Sequence, residues 1–164
     1  AKVATSHLLQ MLWRTEKFPA VTLRLFLTYG HGQDRERFLP QLIYGCLEDK
    51  KFPVSEGRQI RDFCYVHDVI HGILNALTAP DACGEVINLA SGAPISVRAM
   101  IEQVQELIGK GEPEYGQISF RAGENPSLYA DISKAHRILG WQPKVALIEG
   151  LQNTINFCKG SASA

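Results

Sequence analysis

The sequence predicts an α/β fold, and three observations support this prediction. Segments with apolar residues at helical spacing alternate along the chain with short, apolar, β-branched stretches that have the character of buried strands. The strand predicted over residues 20–27 is followed directly by a loop with two glycines, residues 29–33. No internal repeat or low-complexity segment interrupts the alternation. This pattern is typical of a parallel sheet, to which the first part of the chain would contribute.

The first half of the chain divides into helical and extended segments. Helices are predicted over residues 2–14, 38–47 and 68–77, where apolar residues recur at helical spacing. Extended segments are predicted over residues 20–27, 52–54 and 63–66. Asp68 is the expected N-cap of the third helix, because an aspartate side chain can accept hydrogen bonds from the free N–H groups of a first helical turn.

The second half continues the alternation with shorter elements. Strands are predicted over residues 85–90 and 118–121, and helices over residues 96–108, 131–140 and 147–157. Ser96 and Asp131 are expected to cap the first two of these helices, and glycines are expected to end them. Residues 160–164 are small and are expected to form a frayed tail.

The composition is that of an ordinary globular chain with one core. Seventeen basic residues balance seventeen acidic ones among 164 residues, which argues against a general nucleic-acid or anionic-membrane binder. No apolar run approaches the roughly 20 residues of a membrane-spanning helix. The four cysteines are scattered without paired spacing, which favours free thiols in a reducing compartment. We therefore expect a cytoplasmic protein.

Residues 57–68 are the stretch with the most chemical character. They join a glycine turn to a short strand and a helix start, and they include Arg61 next to an aspartate. The guanidinium of Arg61 is an always-charged fork of donors that suits a phosphate or a carboxylate. Taken alone, a structural ion pair with Asp62 is the commoner explanation, and Arg121 is equally ambiguous. The residue types by themselves indicate only an anion-binding region near the two arginines.

Other familiar chemistries have little support in the sequence. His67 and His71 are four residues apart and could bind a metal from one helix face, but no third ligand accompanies them. No serine stands in a nucleophile elbow, and the chain contains no G-x-G-x-x-G motif. The sequence therefore does not favour a metal site or an acyl-transfer site.

Several segments in a fixed order carry a family resemblance. Lys2 is followed by LRLFLTYGHGQ (23–33), QIRDFCYVHD (59–68), GEVINLASG (84–92), RAGE (121–124), ADISKA (130–135) and LGWQP (139–143). With this set, the chain resembles the C-terminal half of an extended short-chain dehydrogenase/reductase of the NAD-dependent nucleotide-sugar epimerase/dehydratase group. The resemblance implies the C-terminal part of a Rossmann-like fold with a small mixed α/β substrate-binding subdomain.

The resemblance also implies a division of the chain. Residues 1–33 would end the dinucleotide-binding Rossmann domain. Residues 34–159 would mainly form the substrate-binding subdomain, with returning Rossmann elements around residues 63–90, and residues 160–164 would be a tail.

The family implies an NAD or NADP site near the start of the chain. Lys2 falls where relatives have the lysine of a Tyr-x-x-x-Lys pair, which binds the nicotinamide ribose and lowers the pKa of the catalytic tyrosine. That tyrosine would precede Ala1. Leu25 and Phe26 would pass near the nicotinamide face.

The family also implies a nucleotide-sugar substrate. Arg61 corresponds to the arginine that grips the diphosphate, Arg121 to a second phosphate or ribose contact, and Glu124 to an acidic residue beside the ribose hydroxyls. Two arginines suit a diphosphate, because bidentate, charge-assisted hydrogen bonds fix its orientation as well as its affinity. The remaining implied substrate contacts, near the nucleotide base, are Phe38, Leu39 and Val54.

Three positions depart from the family pattern. Leu27 stands where relatives usually have an asparagine that touches the sugar or phosphate, and leucine cannot make that hydrogen bond. His31 replaces the proline of Tyr-Gly-Pro-Gly, and residues 121–124 read Arg-Ala-Gly-Glu instead of Arg-Pro-Gly-Asp. The nucleotide base, the sugar, and the choice among epimerisation, dehydration and reduction stay open.

The leading interpretation is part of a nucleotide-sugar epimerase/dehydratase that acts at a sugar carbon by hydride transfer. The alternatives are an NAD(P)H-dependent keto-sugar-nucleotide reductase and a non-catalytic binding fragment. The chain opens inside a helical pattern without an initiator Met, so we expect it to belong to a longer enzyme and to be inactive without its N-terminal Rossmann half. In the family the helix starting at Lys2 joins a four-helix bundle between subunits, so a homodimer through it is expected.

Overall fold

Six α-helices, one 3-10 turn (Pro80–Ala82) and nine short strands lie within residues 1–162, the part of the chain described by this computed structural model. The helices are α1 (Lys2–Glu16), α2 (Phe38–Leu47), α3 (Val66–Thr78), α4 (Val97–Ile108), α5 (Ser133–Leu139) and α6 (Leu147–Ala162). The strands are β1 (Thr22–Leu25), β2 (Leu27–Tyr29), β3 (Lys51–Pro53), β4 (Ile60–Arg61), β5 (Phe63–Tyr65), β6 (Val86–Leu89), β7 (Ile95–Ser96), β8 (Glu112–Glu114) and β9 (Ser127–Leu128). The predicted α/β alternation is confirmed.

One extended segment, residues 22–29, is shared between two parallel partners. β1 runs parallel to β6, and β2 runs parallel to β5. The partner changes at Phe26, whose N–H donates to the carbonyl of Leu89 at 3.1 Å, while the next N–H along the chain donates to the carbonyl of Asp62 at 3.2 Å. The single strand predicted over residues 20–27 is therefore two strands, since each half satisfies its backbone groups on a different neighbour.

The remaining strands are short and form two further sheets. β3 pairs in parallel with β8, and β4 lies between antiparallel β7 and parallel β9. The prediction of a strand over residues 118–121 is wrong. In that segment Ile118 donates one backbone hydrogen bond to Val54, and Ile118 and Phe120 are half-exposed. Their apolar side chains line a cavity instead of packing on a sheet face.

Two hydrophobic clusters form the interior. The first lies among α2, α4 and α6, and the second surrounds β6, α3 and α5. Successive residues of a strand face opposite sides, so Phe63 and Tyr65 of β5 join the first cluster and Cys64 joins the second. Burial, reinforced by nearby Asp68 and Asp62, raises the pKa of the Cys64 thiol to about 12. β5 therefore belongs to both clusters. The division of the chain into residues 1–33 and 34–159 stays a prediction.

Several helix ends follow local sequence signals. The Ser96 hydroxyl accepts a hydrogen bond from the N–H of Ala99 at 3.1 Å, as an N-cap should, and α4 ends at the left-handed Gly109. The prediction that Asp131 caps the next helix is wrong, because the N-cap of α5 is Ile132; the Asp131 carboxylate lies one residue earlier and accepts from the N–H of Ser133 at 2.8 Å. α6 runs to Ala162 and so takes in part of the predicted tail, whose last residues, 163–164, lie outside the described residues.

Asp68 does not cap α3, because that helix already begins at Val66. Its buried carboxylate instead accepts backbone hydrogen bonds from Lys144 and Val145, both at 3.0 Å. Its carbonyl accepts from the indole N–H of Trp141 at 2.9 Å. Asp68 therefore holds the segment before α6 against the start of α3.

α1 lies at the edge of the molecule, and Ser6 is its one buried residue. The Trp13 ring packs so closely on Gly84 that no side chain would fit at that position. Val3, Leu8 and Met11 of the same helix are half-exposed or more. Within residues 1–162 no helix combines the length and apolarity needed to cross a bilayer.

Asp62 is fully buried, and its partners are neutral donors. One carboxylate oxygen accepts from the N–H and hydroxyl of Ser91 at 2.6 and 2.7 Å. The other accepts from the N–H groups of Gly92 at 3.1 Å and Ala130 at 3.5 Å. The expectation that Asp62 pairs with Arg61 is wrong, because these backbone and hydroxyl donors take its place. The carboxylate joins three separate segments of the chain.

Asp62→Asn is expected to destabilise the fold by about 3 kcal/mol, since an amide nitrogen cannot accept hydrogen bonds and leaves buried donors unsatisfied. Urea unfolding followed by circular dichroism measures the change. Asp81→Asn removes the same charge at an exposed position and should stay within about 0.5 kcal/mol of the wild type. Equal stability of the Asp62→Asn variant and the wild type would contradict this role.

Candidate functional site

A cavity of about 430 Å³ beside β4 collects most of the predicted substrate residues. Its lining includes Phe38, Val54, Arg61, Arg121 and Glu124. These residues come from the start of α2, the end of β3, β4 and the segment between β8 and β9. Its volume lies within the range of typical small-molecule sites, and it combines apolar walls with a few charged groups, as such sites do.

Arg61 is the buried cation of this cavity. The residue is 8% exposed. Its Nη1 donates to the carbonyl of Ile60 at 2.8 Å, and its Nη2 forms an ion pair with Glu124. The ion-pair partner is thus 63 residues away in sequence. Because Arg61 is largely removed from water, its interactions with anions are stronger than those of a surface arginine.

Arg121 and Glu124 belong to one turn at the mouth of the cavity. The N–H of Glu124 donates to the carbonyl of Arg121 at 3.0 Å, and Gly123 takes the left-handed conformation that the turn requires (φ 76°). Arg121 is exposed. The cavity therefore holds two guanidinium groups against one carboxylate, and this set of charges favours an anionic ligand.

Much of the remaining lining of the cavity is apolar and aromatic. The rings of Phe38 and Phe63 lie 6.3 Å apart, centroid to centroid. Four uncharged polar side chains also line the cavity, and one of them, Gln59, donates its amide to the hydroxyl of Ser55 at 3.3 Å. A flat, partly polar group would find both apolar contact and hydrogen-bonding partners here.

Sequence reasoning missed much of this lining. The residues it did not single out as contacts are Gln41, Leu42, Phe52, Pro53, Ser55, Gln59, Phe63, Val97, Ile118, Ser119 and Phe120. A signal existed for two of them, because Ile118 and Phe120 alternate immediately before Arg121. That alternation indicates a strand as readily as a cavity wall, so sequence alone does not distinguish the two.

Four of the predicted site residues do not line the cavity. Lys2 is the exposed first residue of α1, and Leu25, 51% exposed, ends β1 next to the half-buried Phe26. Leu39 is 2% exposed and packs in the first hydrophobic cluster. The predicted substrate contacts are thus brought together, apart from Leu39, while the predicted cofactor contacts lie elsewhere.

The glycine loop after β2 also lies outside the lining of this cavity. The His31 ring contacts the rings of His67 at 5.2 Å and Phe157 at 5.7 Å between centroids. The Tyr29 hydroxyl donates to the carbonyl of Leu147 at 3.3 Å, and burial raises its pKa above the ordinary value. Tyr29 is therefore a structural residue and is not poised for proton transfer. Residues 1–162 contain no group of three His, Cys, Asp or Glu side chains that could hold a metal ion.

Comparison with known sequences gives a consistent picture. Residues 1–154 match the family described as GDP-mannose 4,6 dehydratase. The UDP-glucuronate 4-epimerase of Thermodesulfobacterium geofontis is 34% identical over 140 residues, which are 84% of this chain and 42% of the relative. The dTDP-glucose 4,6-dehydratase of Haemophilus influenzae is 28% identical over 96% of this chain and 50% of its own length. The chain spans about half the length of these relatives.

A solved structure shares the fold. The UDP-glucuronic acid 4-epimerase of Bacillus cereus, in complex with UDP-glucuronic acid and NAD, superposes with a TM-score of 0.86 at 32% identity. The match covers 98% of this chain and 51% of the epimerase. The chain therefore belongs to the extended short-chain dehydrogenase/reductase family of nucleotide-sugar epimerases and dehydratases and has the C-terminal part of its Rossmann-like fold.

Proposed function

We propose that this chain supplies the nucleotide-sugar-binding half of an NAD- or NADP-dependent epimerase or dehydratase that acts at a sugar carbon by hydride transfer. The observation that carries the proposal is the cavity in which Arg61 and Arg121 face an aromatic wall. The ligands bound to the Bacillus cereus relative, UDP-glucuronic acid and NAD, support this ligand class.

The proposed ligand lies along the cavity with its charge at one end. The diphosphate would accept hydrogen bonds from Arg61 and Arg121, and the base would lie beside Phe38 and Val54. Leu39, buried in the core, would support the base side of the wall without touching the ligand through its side chain. Glu124 would reach the ribose hydroxyls once its carboxylate leaves Arg61.

The proposed cofactor contacts fit a dinucleotide in chemical type. Lys2 forms no salt bridge with the described residues, so its ammonium is available to ribose hydroxyls and would favour the phenolate of a neighbouring tyrosine. Leu25 offers exposed apolar surface at the carboxyl end of a parallel strand, where α/β folds bind ligands. Phe26 follows it directly. Bound NAD or NADP would supply the hydride transfer.

A second candidate is nucleotide-sugar binding without chemistry. One observation favours it: Arg61, Arg121 and Glu124 line the cavity together, whereas Lys2 lies apart from it. Reduction of a keto-sugar nucleotide stays a third proposal at the same site. The exposed apolar residues of α1 support pairing of two subunits through that helix, and the free cysteines support a cytoplasmic location.

Arg61→Ala and Arg121→Ala are each expected to weaken nucleotide-sugar binding by about tenfold to a hundredfold, because hydrogen bonds to charged groups contribute about 1.5–3 kcal/mol. Calorimetric titration with UDP, dTDP, CDP and GDP sugars first identifies the ligand and then measures the loss. Arg58→Ala removes the same charge outside the cavity lining and should leave the affinity unchanged.

Thermal unfolding of each variant separates lost binding from lost folding. The exposed Arg121 can be removed without leaving a buried partner, so its variant tests binding even if Arg61→Ala unfolds. Unchanged affinity of a folded Arg61→Ala variant rules out the diphosphate role.

Leu27→Asn is expected to tighten binding of the nucleotide sugar by about fivefold, while leaving the matching nucleoside diphosphate unaffected. The side chain lines the cavity and is 44% exposed, so an amide fits there and adds about one hydrogen bond of roughly 1 kcal/mol. Leu25→Asn, on the same extended segment but outside the lining, is the control. Equal effects on both ligands would show that Leu27 does not face the sugar.

A further inference from the structure

The ion pair with Glu124 places one of the chain's own carboxylates on the buried cation of the cavity. We propose that Glu124 competes with the ligand for Arg61 and so determines which anions the site accepts, favouring doubly charged phosphates over singly charged groups. The inference rests on the proposed role of Arg61 in binding a diphosphate. It assigns Glu124 a part in specificity that differs from a contact with ribose hydroxyls.

The guanidinium of Arg61 has little free surface left. Its side chain is 10% exposed. Nη1 donates a hydrogen bond to the carbonyl of Ile60, and Nη2 donates one to the carboxylate of Glu124. Each Nη carries two N–H donors, so a phosphate oxygen that takes the N–H now bonded to Glu124 displaces the carboxylate, and one that binds another N–H of the guanidinium competes with the carboxylate for the same positive charge.

Glu124 is attached in a way that permits this displacement. Its side chain is 29% exposed, and Arg61 is its one salt-bridge partner among the described residues. A side chain built at the neighbouring Gly123 would meet nothing within 4 Å, so there is open space beside the turn at that residue. The turn is tied down after Glu124, where the carbonyl of Pro126 accepts from the N–H of Ile60 at 2.8 Å. The carboxylate can swing away without breaking a strand.

Asp62, the other carboxylate next to Arg61 in sequence, behaves differently. It is fully buried and accepts hydrogen bonds from two other segments of the chain, at residues 91–92 and at Ala130, so no ligand can exchange with it. The site therefore contains one fixed carboxylate that shapes the backbone and one exchangeable carboxylate that faces the ligand.

The exchange favours ligands of higher charge. A singly charged anion only replaces the charge of Glu124 beside Arg61, so its binding gains little free energy. A diphosphate carries more negative charge and interacts with both Arg61 and the exposed Arg121, so it binds more favourably. The displaced carboxylate is repelled by the phosphates and moves with its turn. Since that turn also carries Arg121, the release of Glu124 frees the second arginine to adjust to the ligand.

Glu124→Gln tests the competition in the full chain, with inorganic pyrophosphate as the probe. We expect the variant to bind pyrophosphate about tenfold more tightly than the wild type, because a neutral amide holds Arg61 less strongly. Glu56→Gln is the matched control: it removes the same charge from a carboxylate that pairs with Arg98 at 3.1 Å outside the cavity lining. Its affinity for pyrophosphate should equal that of the wild type.

Modification of Arg61 by phenylglyoxal, followed by peptide mass mapping, gives a second readout without any ligand. Arg61 should react several times faster in Glu124→Gln than in the wild type or in Glu56→Gln. Pyrophosphate affinity of Glu124→Gln that is equal to or below the wild-type value overturns the proposal. If neither protein binds pyrophosphate measurably, equal modification rates of Arg61 overturn it, and a faster rate in the variant supports it.

The same experiments separate this inference from the proposed function. If no nucleotide sugar binds, but Glu124→Gln still exposes Arg61 and tightens pyrophosphate binding, the proposed function fails and the competition stands. If nucleotide sugars bind the wild type, and Glu124→Gln loses affinity for them without gaining affinity for pyrophosphate, Glu124 only assists the ligand, and the competition is refuted.

Discussion

The buried carboxylate of Asp62 is the interaction on which the geometry of the cavity depends. It accepts hydrogen bonds from the loop after β6 and from the segment before α5, and so it fixes the connection between β4 and β5. A charge without solvent contact is tolerated here because these donors replace water. Residues of an extended segment alternate in direction, so fixing Asp62 on one side directs Arg61 and Phe63 to the other, where both line the cavity.

The cavity owes its chemistry to the contrast between fixed and movable groups. Arg61 is held by the strand, by the carbonyl of Ile60 and by the shape of the wall around it. Glu124 and Arg121 sit on an open turn that is anchored at its end. The cavity thus combines a fixed cation, an exchangeable anion and a pair of phenylalanine rings. This combination favours binding of a ligand with a charged centre and a flat apolar end. Nucleoside diphosphates have that combination.

The sequence predicts best where a local pattern determines the structure. α2 and α4 begin and end where periodicity, Ser96 and Gly109 indicate, because propensity and capping act within a few residues. Prediction from the sequence fails where a contact between residues far apart in the chain determines the structure. Asp68 binds backbone some 76 residues away instead of capping its own helix, and the partner of Arg61 is 63 residues away. The residue types indicated an anion-binding region near Arg61 and Arg121, but the role of the two arginines in binding a diphosphate came from a family resemblance. The cofactor contacts stay predictions, because they lie apart from the cavity.

The most direct test of the account is a crystal structure of the chain with the nucleotide sugar that binds most tightly. We predict diphosphate oxygens at about 3 Å from the guanidinium nitrogens of Arg61, with the carboxylate of Glu124 moved off that group and the hydrogen bonds of Asp62 unchanged. A ligand bound elsewhere, with the Arg61–Glu124 ion pair intact, would contradict the central claim that this cavity is an anion site with an exchangeable internal carboxylate.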